Sequence, residues 1–123
     1  MKRSMFQVYV KGSVEAAKFY QEAFDAKLQS AYLDSEGKYY EHAELNIYGQ
    51  IFAIAELPDQ TPNPGNTMQI CFHFGPGEAD KVYKAFEVLK DGAEPHGPVG
   101  DSGWSKHMFS LVDKYGVHWC VFE

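Results

Sequence analysis

The feature that most constrains this 123-residue chain is that its second half repeats the plan of its first. Phe6–Val10 is rich in β-branched and aromatic residues and reads as a strand, and a helix begins near Ser13. Met68–Phe74 and a helix over Glu78–Lys90 restate the same pair. Val10 aligns with Phe74, and Lys18-Phe19-Tyr20 with Lys81-Val82-Tyr83. Repetition at an offset of about half the chain is the signature of a duplicated structural unit. After the first helix, strands are expected over Ala26–Asp34, Tyr39–Ile47 and Gln50–Glu56, with turns at Ser35-Glu36-Gly37 and Tyr48-Gly49. After the second, Ala93–Val99 is at best a Pro- and Gly-rich edge strand, followed by strands over Lys106–Val112 and Val117–Phe122.

The expected fold class is therefore α+β. Two tandem βαβββ units form curved mixed sheets around a groove, with the helices outside, in one domain over 1–123. The first unit spans about 5–56 and the second about 67–123. Between them, Leu57–Asn66 contains Pro58, Pro62, Pro64 and Gly65 and reads as a linker. Ser13 is the expected N-cap of the first helix, with Glu15 in its first turn, and Ala16, Phe19, Tyr20, Ala23 and Phe24 on its buried face. Ala79, Val82, Phe86 and Leu89 form the apolar face of the second helix, and Gly92 is its expected stop.

Composition narrows the partners. The net charge is −6 and the 11 Lys and Arg are scattered, so the electrostatic footprint of a nucleic-acid or anionic-membrane protein is missing. The basic start Met1-Lys2-Arg3-Ser4 precedes an apolar stretch too short for a signal peptide or a membrane span, so the cytoplasm is the expected location. Two cysteines are too few for a disulfide scaffold. Aromatic residues are abundant (nine Phe, eight Tyr, two Trp), as suits a core or an organic-ligand pocket.

Strand alternation sorts the side chains into faces. Phe6, Val8 and Val10 suit the helix side, which leaves Met5, Gln7 and Tyr9 toward the groove. Ile70, Phe72 and Phe74 go to the second helix, leaving Gln69, Cys71 and His73. Val117, Trp119 and Val121 likewise leave His118, Cys120 and Phe122, and His42, Glu44 and Asn46 share one face. His42 and Glu44 could act as a general acid–base pair or form a cross-strand polar pair. Trp104, directly after the loop from Gly97 to Gly103, could close as a lid or anchor that loop, with His107 near it as a hydrogen-bond donor. Cys71 and Cys120, on adjacent strands, could form a soft two-thiolate patch with His73 or His118, or be ordinary buried cysteines.

Three segments carry a resemblance to a known family. They are Ala16-Ala17-Lys18-Phe19-Tyr20, His42-Ala43-Glu44-Leu45 with Gly49, and Trp104 to Trp119, which includes Trp-Ser-Lys-His and Val-Asp-Lys-Tyr-Gly-Val-His-Trp. Together they resemble the vicinal oxygen chelate superfamily of glyoxalases, ring-cleaving dioxygenases and bleomycin- and fosfomycin-resistance proteins, and within it the PhnB-like branch. The resemblance implies paired βαβββ units, often a homodimer, with ligand and metal in the groove.

In metal-dependent members the ligands are His or Glu on the first and last strands of each unit. Those positions carry over to Met5, Ala53, Gln69 and Cys120. A hard divalent ion wants three or more His or carboxylate ligands, so no cofactor is expected, and a divalent metal is the alternative. The ubiquinone-pathway methyltransferase label attached to some PhnB-like sequences has no support, because Gly75-Pro76-Gly77 lacks the spaced glycine fingerprint of a nucleotide site.

The leading expectation is a small-organic-molecule-binding protein whose ligand meets Gln7, Tyr9, His42, Glu44, Gln69, His73, Trp104, His107 and Cys120. The alternative is a lyase, isomerase or oxygenase with a shifted metal set of His42, Glu44, His107 and Glu56. A module that docks partners through an exposed sheet edge is a third reading, and the net charge argues against it.

Overall fold

The computed structural model describes every residue except 58, 60 and 64. It consists of two compact units, Met1–Pro62 and Asn63–Glu123, with α+β architecture. Among the described residues no helix is long and apolar enough to cross a membrane.

The first unit contains strand β1 (Phe6–Val10), helix α1 (Ser13–Phe24), and strands β2 (Lys27–Leu33), β3 (Tyr40–Ile47) and β4 (Gln50–Glu56). They form one mixed sheet in the order β1-β4-β3-β2, with β1 parallel to β4 and the other pairs antiparallel. A two-residue turn joins β3 to β4, and both Tyr48 (φ 50°) and Gly49 (φ 94°) are left-handed. Such a turn matches the twist of the flanking strands, and Asn46 Oδ1 accepts the Gly49 N–H at 2.7 Å. α1 covers one sheet face. Its Ala16, Tyr20, Ala23 and Phe24 are fully buried, as are Ala43, Leu45, Ile47, Phe52 and Ile54 of the sheet. Tyr20 meets Phe52 edge-on at 5.1 Å between ring centroids, a favoured aromatic geometry.

Ser13 does not cap α1 as expected. It is the first helical residue and is fully buried, and its Oγ accepts the Tyr40 N–H at 2.9 Å. The cap position is Gly12, left-handed at φ 82° and without a side chain to offer. The carboxylate of Glu56, at the end of β4, accepts the N–H of Ser13 at 2.8 Å and of Gly12 at 3.1 Å. Parallel pairing sets Glu56 beside Val10, two residues before the Gly12 cap, which is why a distant carboxylate reaches the positive helix end.

The second unit contains β5 (Ile70–His73), α2 (Ala79–Leu89), β6 (Met108–Val112) and β7 (His118–Phe122), with sheet order β5-β7-β6. β5 and β7 are parallel and β6 is antiparallel to β7. Most elements are one or two residues shorter than the sequence pattern implies, as fraying ends usually are.

The larger difference is Ala93–Val99, which forms no strand. It keeps one ladder-like bond, Glu94 N–H to Val112 O at 3.0 Å, and beyond it Gly100 forms an isolated bridge with Met108. Pro95 and Pro98 have no N–H to give a ladder. Gly92, with φ 72°, does mark the end of the second helical segment. Between the units, the described part of Leu57–Asn66 has no helix or strand; Pro58, Gln60 and Pro64, which entered the linker expectation, lie outside the described residues.

The second unit has its own buried acid. Asp113, 2% exposed, accepts the Tyr115 N–H at 2.8 Å and the Val117 N–H at 3.1 Å through Oδ1, and the indole N–H of Trp119 at 2.8 Å through Oδ2. The carboxylate thus closes the β6–β7 turn and fixes the largest fully buried side chain. It also recapitulates the device in the first unit, where a carboxylate satisfies backbone N–H groups at a chain reversal.

Candidate functional site

The face of the first sheet opposite α1 carries the polar residues. Register pairs Gln7 with Ala53, Ala53 with Glu44, and Glu44 with Ser30, so these side chains form one row across the sheet. A second row holds Tyr9 beside Ala55 and His42 beside Tyr32. The expected grouping of Gln7, Tyr9, His42 and Glu44 on one face is therefore observed, and Gln7 Nε2 donates to the Tyr9 hydroxyl at 2.8 Å.

At the centre of this face the expected His42–Glu44 pair is joined by Arg3, which the sequence reading did not include. The Arg3 guanidinium grips Glu44 with two bonds, Nη1 to Oε2 at 2.8 Å and Nη2 to Oε1 at 2.9 Å. His42 Nε2 lies 3.0 Å from Glu44 Oε1. The hydrogen bond from Arg3, then that from His42, hold the Glu44 carboxyl down at about 2. Glu44 thus stays a carboxylate and is a poor general base near neutrality. Its role is to orient His42. With a proton assigned to Nε2 by that contact, Nδ1 of neutral His42 is an acceptor, and it has no hydrogen-bond partner among the described residues.

The clamp makes a titration prediction. Because the folded Glu44 pKa is depressed, its stabilisation is full above the unfolded value of about 4.3 and is lost as pH falls toward about 2. Arg3 is half exposed, so solvent and salt screen the pair and keep the effect small. The Arg3→Ala substitution should move the Glu44 titration upward by at least one unit in carboxyl-carbon NMR, and an unchanged titration would rule out the clamp.

Glu56 does not belong to this face. It pairs with Val10 on the helix side and is occupied by the α1 terminus, so the shifted metal set of His42, Glu44, His107 and Glu56 loses a member.

In the second unit, Gln69, Cys71 and His73 are exposed, alternating with partly covered Ile70 and Phe72 as expected. Cys71, Cys120 and Ser110 form one row, and His73, Phe122 and Met108 the next. Gln69 Nε2 donates to Ser110 Oγ at 2.9 Å. His73 stacks on Phe122 at 4.6 Å, and Trp104 meets the same ring edge-on at 4.7 Å while remaining 63% exposed.

His107, expected beside Trp104, is engaged elsewhere. Its Nδ1 is 3.1 Å from the Tyr83 hydroxyl of α2, and its Nε2 is 3.7 Å from Glu123 Oε1. Alternation from Met108 places it on the helix side, away from the row of His73 and Phe122. Glu123 Oε2 also accepts the Gly77 N–H at 3.2 Å, so the carboxylate after β7 serves the loop before α2 much as Glu56 serves α1.

The positions where the resemblance implies metal ligands hold Met5, Ala53, Gln69 and Cys120. Ala53 has no donor atom, and thioether, amide and a single thiol do not suit a hard divalent ion. Among the described residues, no three His, Cys, Asp or Glu stand close enough together to hold a metal. These residues do not fit the superfamily's usual divalent centre.

Comparison with known proteins bears on the family and the fold. Residues 3–121 match the family model described as the glyoxalase/bleomycin resistance protein/dioxygenase superfamily. A PhnB protein from Bacillus cereus is 24% identical, with a TM-score of 0.77 and 98% of each chain covered. The fosfomycin resistance protein FosX from Listeria monocytogenes is 17% identical, with a TM-score of 0.72 and coverage of 98% of this chain and 91% of that one. A protein from Arabidopsis thaliana is 23% identical, with a TM-score of 0.67, covering 100% of this chain and 99% of that one. No curated protein matches the chain significantly.

Proposed function

Since the chain belongs to the glyoxalase/bleomycin resistance protein/dioxygenase superfamily, we propose that it binds a small organic molecule on the Gln7, Tyr9, His42 and Glu44 face without a divalent metal centre. The observation that carries this reading is the preset His42. Glu44 and Arg3 fix its ring, and Nδ1 is left to accept a hydrogen bond from a ligand hydroxyl or N–H. Tyr9 and Tyr32, both largely exposed, flank it with aromatic surface on which an uncharged organic group can stack. A preformed apolar surface with few, well-oriented polar groups is the usual form of a small-molecule site.

The metal-free part of the reading rests on Met5, Ala53, Gln69 and Cys120 at the implied ligand positions. Untagged protein, equilibrated in turn with Zn, Ni, Mn and Fe salts and then dialysed, should retain well under one divalent ion per chain by mass spectrometry. One tightly held ion per chain would overturn it. The organic site is tested separately, by thermal-shift screening of hydroxylated aromatic compounds and calorimetry of the hits. His42→Ala should weaken a hit at least tenfold, the scale of one lost buried hydrogen bond. A hit that binds His42→Ala as tightly as wild type would remove His42 from the site.

A further inference from the structure

The second unit contains a paired thiol that the proposed organic site does not use. Cys71 on β5 and Cys120 on β7 are direct register partners on parallel neighbouring strands. Both are free cysteines, Cys71 exposed and Cys120 buried. Side chains at matched positions of parallel strands leave the sheet on the same side and run alongside each other, so their Cβ atoms stand about as far apart as the strands, roughly 4.8 Å. A disulfide wants Cβ atoms about 3.8 Å apart, closer than this arrangement offers. Two metal–thiolate bonds of about 2.3 Å set on opposite sides of an ion need sulfurs about 4.6 Å apart, a separation that side chains leaving neighbouring strands on the same side reach by choice of χ1 rotamer.

We propose that Cys71 and Cys120 form a two-coordinate site for a soft monovalent ion, copper(I) being the ion of that class met under reducing conditions. Selectivity follows from the ligand count. Zinc and ferrous ions ask for four donors, and no third His, Cys, Asp or Glu stands with this pair among the described residues. Copper(I) is satisfied by two thiolates, the softest donors a protein has.

The surroundings suit entry and retention. Cys71 opens the site to solvent, and its thiol points to Gln69 Oε1 at 3.9 Å. Gln69 is held in turn by Ser110 and by the Trp119 carbonyl at 3.3 Å, so the outer rim of the site is fixed. Burial, and then the neighbouring Cys71, push the Cys120 thiol up to about 11, so this buried thiol is weakly reactive until an ion arrives. Binding takes the ion in and releases two protons, one from each thiol, with no change of oxidation state.

The test is an anaerobic titration of the reduced full chain with copper(I) against a coloured copper(I) chelator, with stoichiometry checked by native mass spectrometry. One copper per chain is expected, with loss of binding by at least a hundredfold in both Cys71→Ser and Cys120→Ser. Cys71 is exposed, so Cys71→Ser should keep the wild-type fold by circular dichroism. It decides the question even if the buried Cys120→Ser variant fails to fold. Failure of wild type to draw copper from the chelator would overturn the site, as would wild-type affinity in Cys71→Ser. The organic-ligand reading stands or falls on His42→Ala instead, so the two can fail independently.

Discussion

Replacing Asp113 by alanine is expected to cost about 3–4 kcal/mol of stability, the largest effect of any polar substitution in the molecule. Three donors lose their acceptor at once: the N–H groups of Tyr115 and Val117 and the indole N–H of Trp119. Asp113 and Trp119 are almost wholly buried, so water cannot replace the lost partner without opening the core. In urea denaturation this should appear as a lower midpoint with little change in slope.

Asp113→Asn separates the parts. Its carbonyl oxygen can still serve the two backbone N–H groups, but its NH2 then faces the Trp119 indole N–H, donor against donor. The cost should remain above about 1 kcal/mol, and much of it should vanish when Trp119→Phe removes the opposing donor. A loss below about 1 kcal/mol for Asp113→Ala would mean that the carboxylate is not the organising group of this turn.

The second large effect is on α1. Glu56→Ala should cost about 2 kcal/mol, the upper end of the range for a helix cap, because a charged acceptor is removed from two N–H groups. Glu56→Gln keeps one acceptor oxygen without the charge and should recover about half of the loss. Hydrogen exchange should localise the change, with faster exchange at Gly12 and Ser13 and little change in the middle of α1. Glu15→Gln, in the first turn of the same helix but not the cap, should cost only about 0.3–0.5 kcal/mol. Equal effects from Glu15→Gln and Glu56→Ala would show that general helix-dipole electrostatics, and not the specific cap, stabilises this end.

Both residues illustrate what a linear reading of the chain misses. Ser13 has every local mark of a helix cap, and local rules assign it that role. The parallel β1–β4 pair instead carries a carboxylate to the same helix end from a strand far along the chain. Arg3 is similar. It sits in a basic start that looks like an ordinary solvated tail, and its partner Glu44 is 41 residues away, so no spacing signals the contact. His107 looked like a companion of Trp104 because the two are close in sequence, yet alternation along β6 turns its ring toward α2 and Tyr83. The Ala93–Val99 segment is the opposite case. Its prolines were visible and were correctly read as weakening a strand, and the structure shows that they abolish it.

Where residues answer to periodicity, the reading holds. The strand period of two placed Gln7 with Tyr9, His42 with Glu44, and Gln69, Cys71 and His73 together, because one face of each sheet must bury apolar groups under a helix and the other then takes what remains. The helical period found the buried face of α1 and, for the same reason, Val82, Phe86 and Leu89 of α2, where Ala85 is buried and the expected Ala79 only partly so. Membership in the superfamily was legible as well, through the duplicated plan and the motifs around His42 and Trp119.

By itself, then, the amino-acid order determined the repeated α+β plan, the faces of the strands and the apolar faces of the helices. All of these depend on residue type and short-range period. Only the tertiary structure decided which charges meet: Arg3 with Glu44, Glu56 with the start of α1, Asp113 with Trp119, and Cys71 beside Cys120. Strand order and register bring those partners together, and they follow from the packing of the whole chain, which no local pattern encodes.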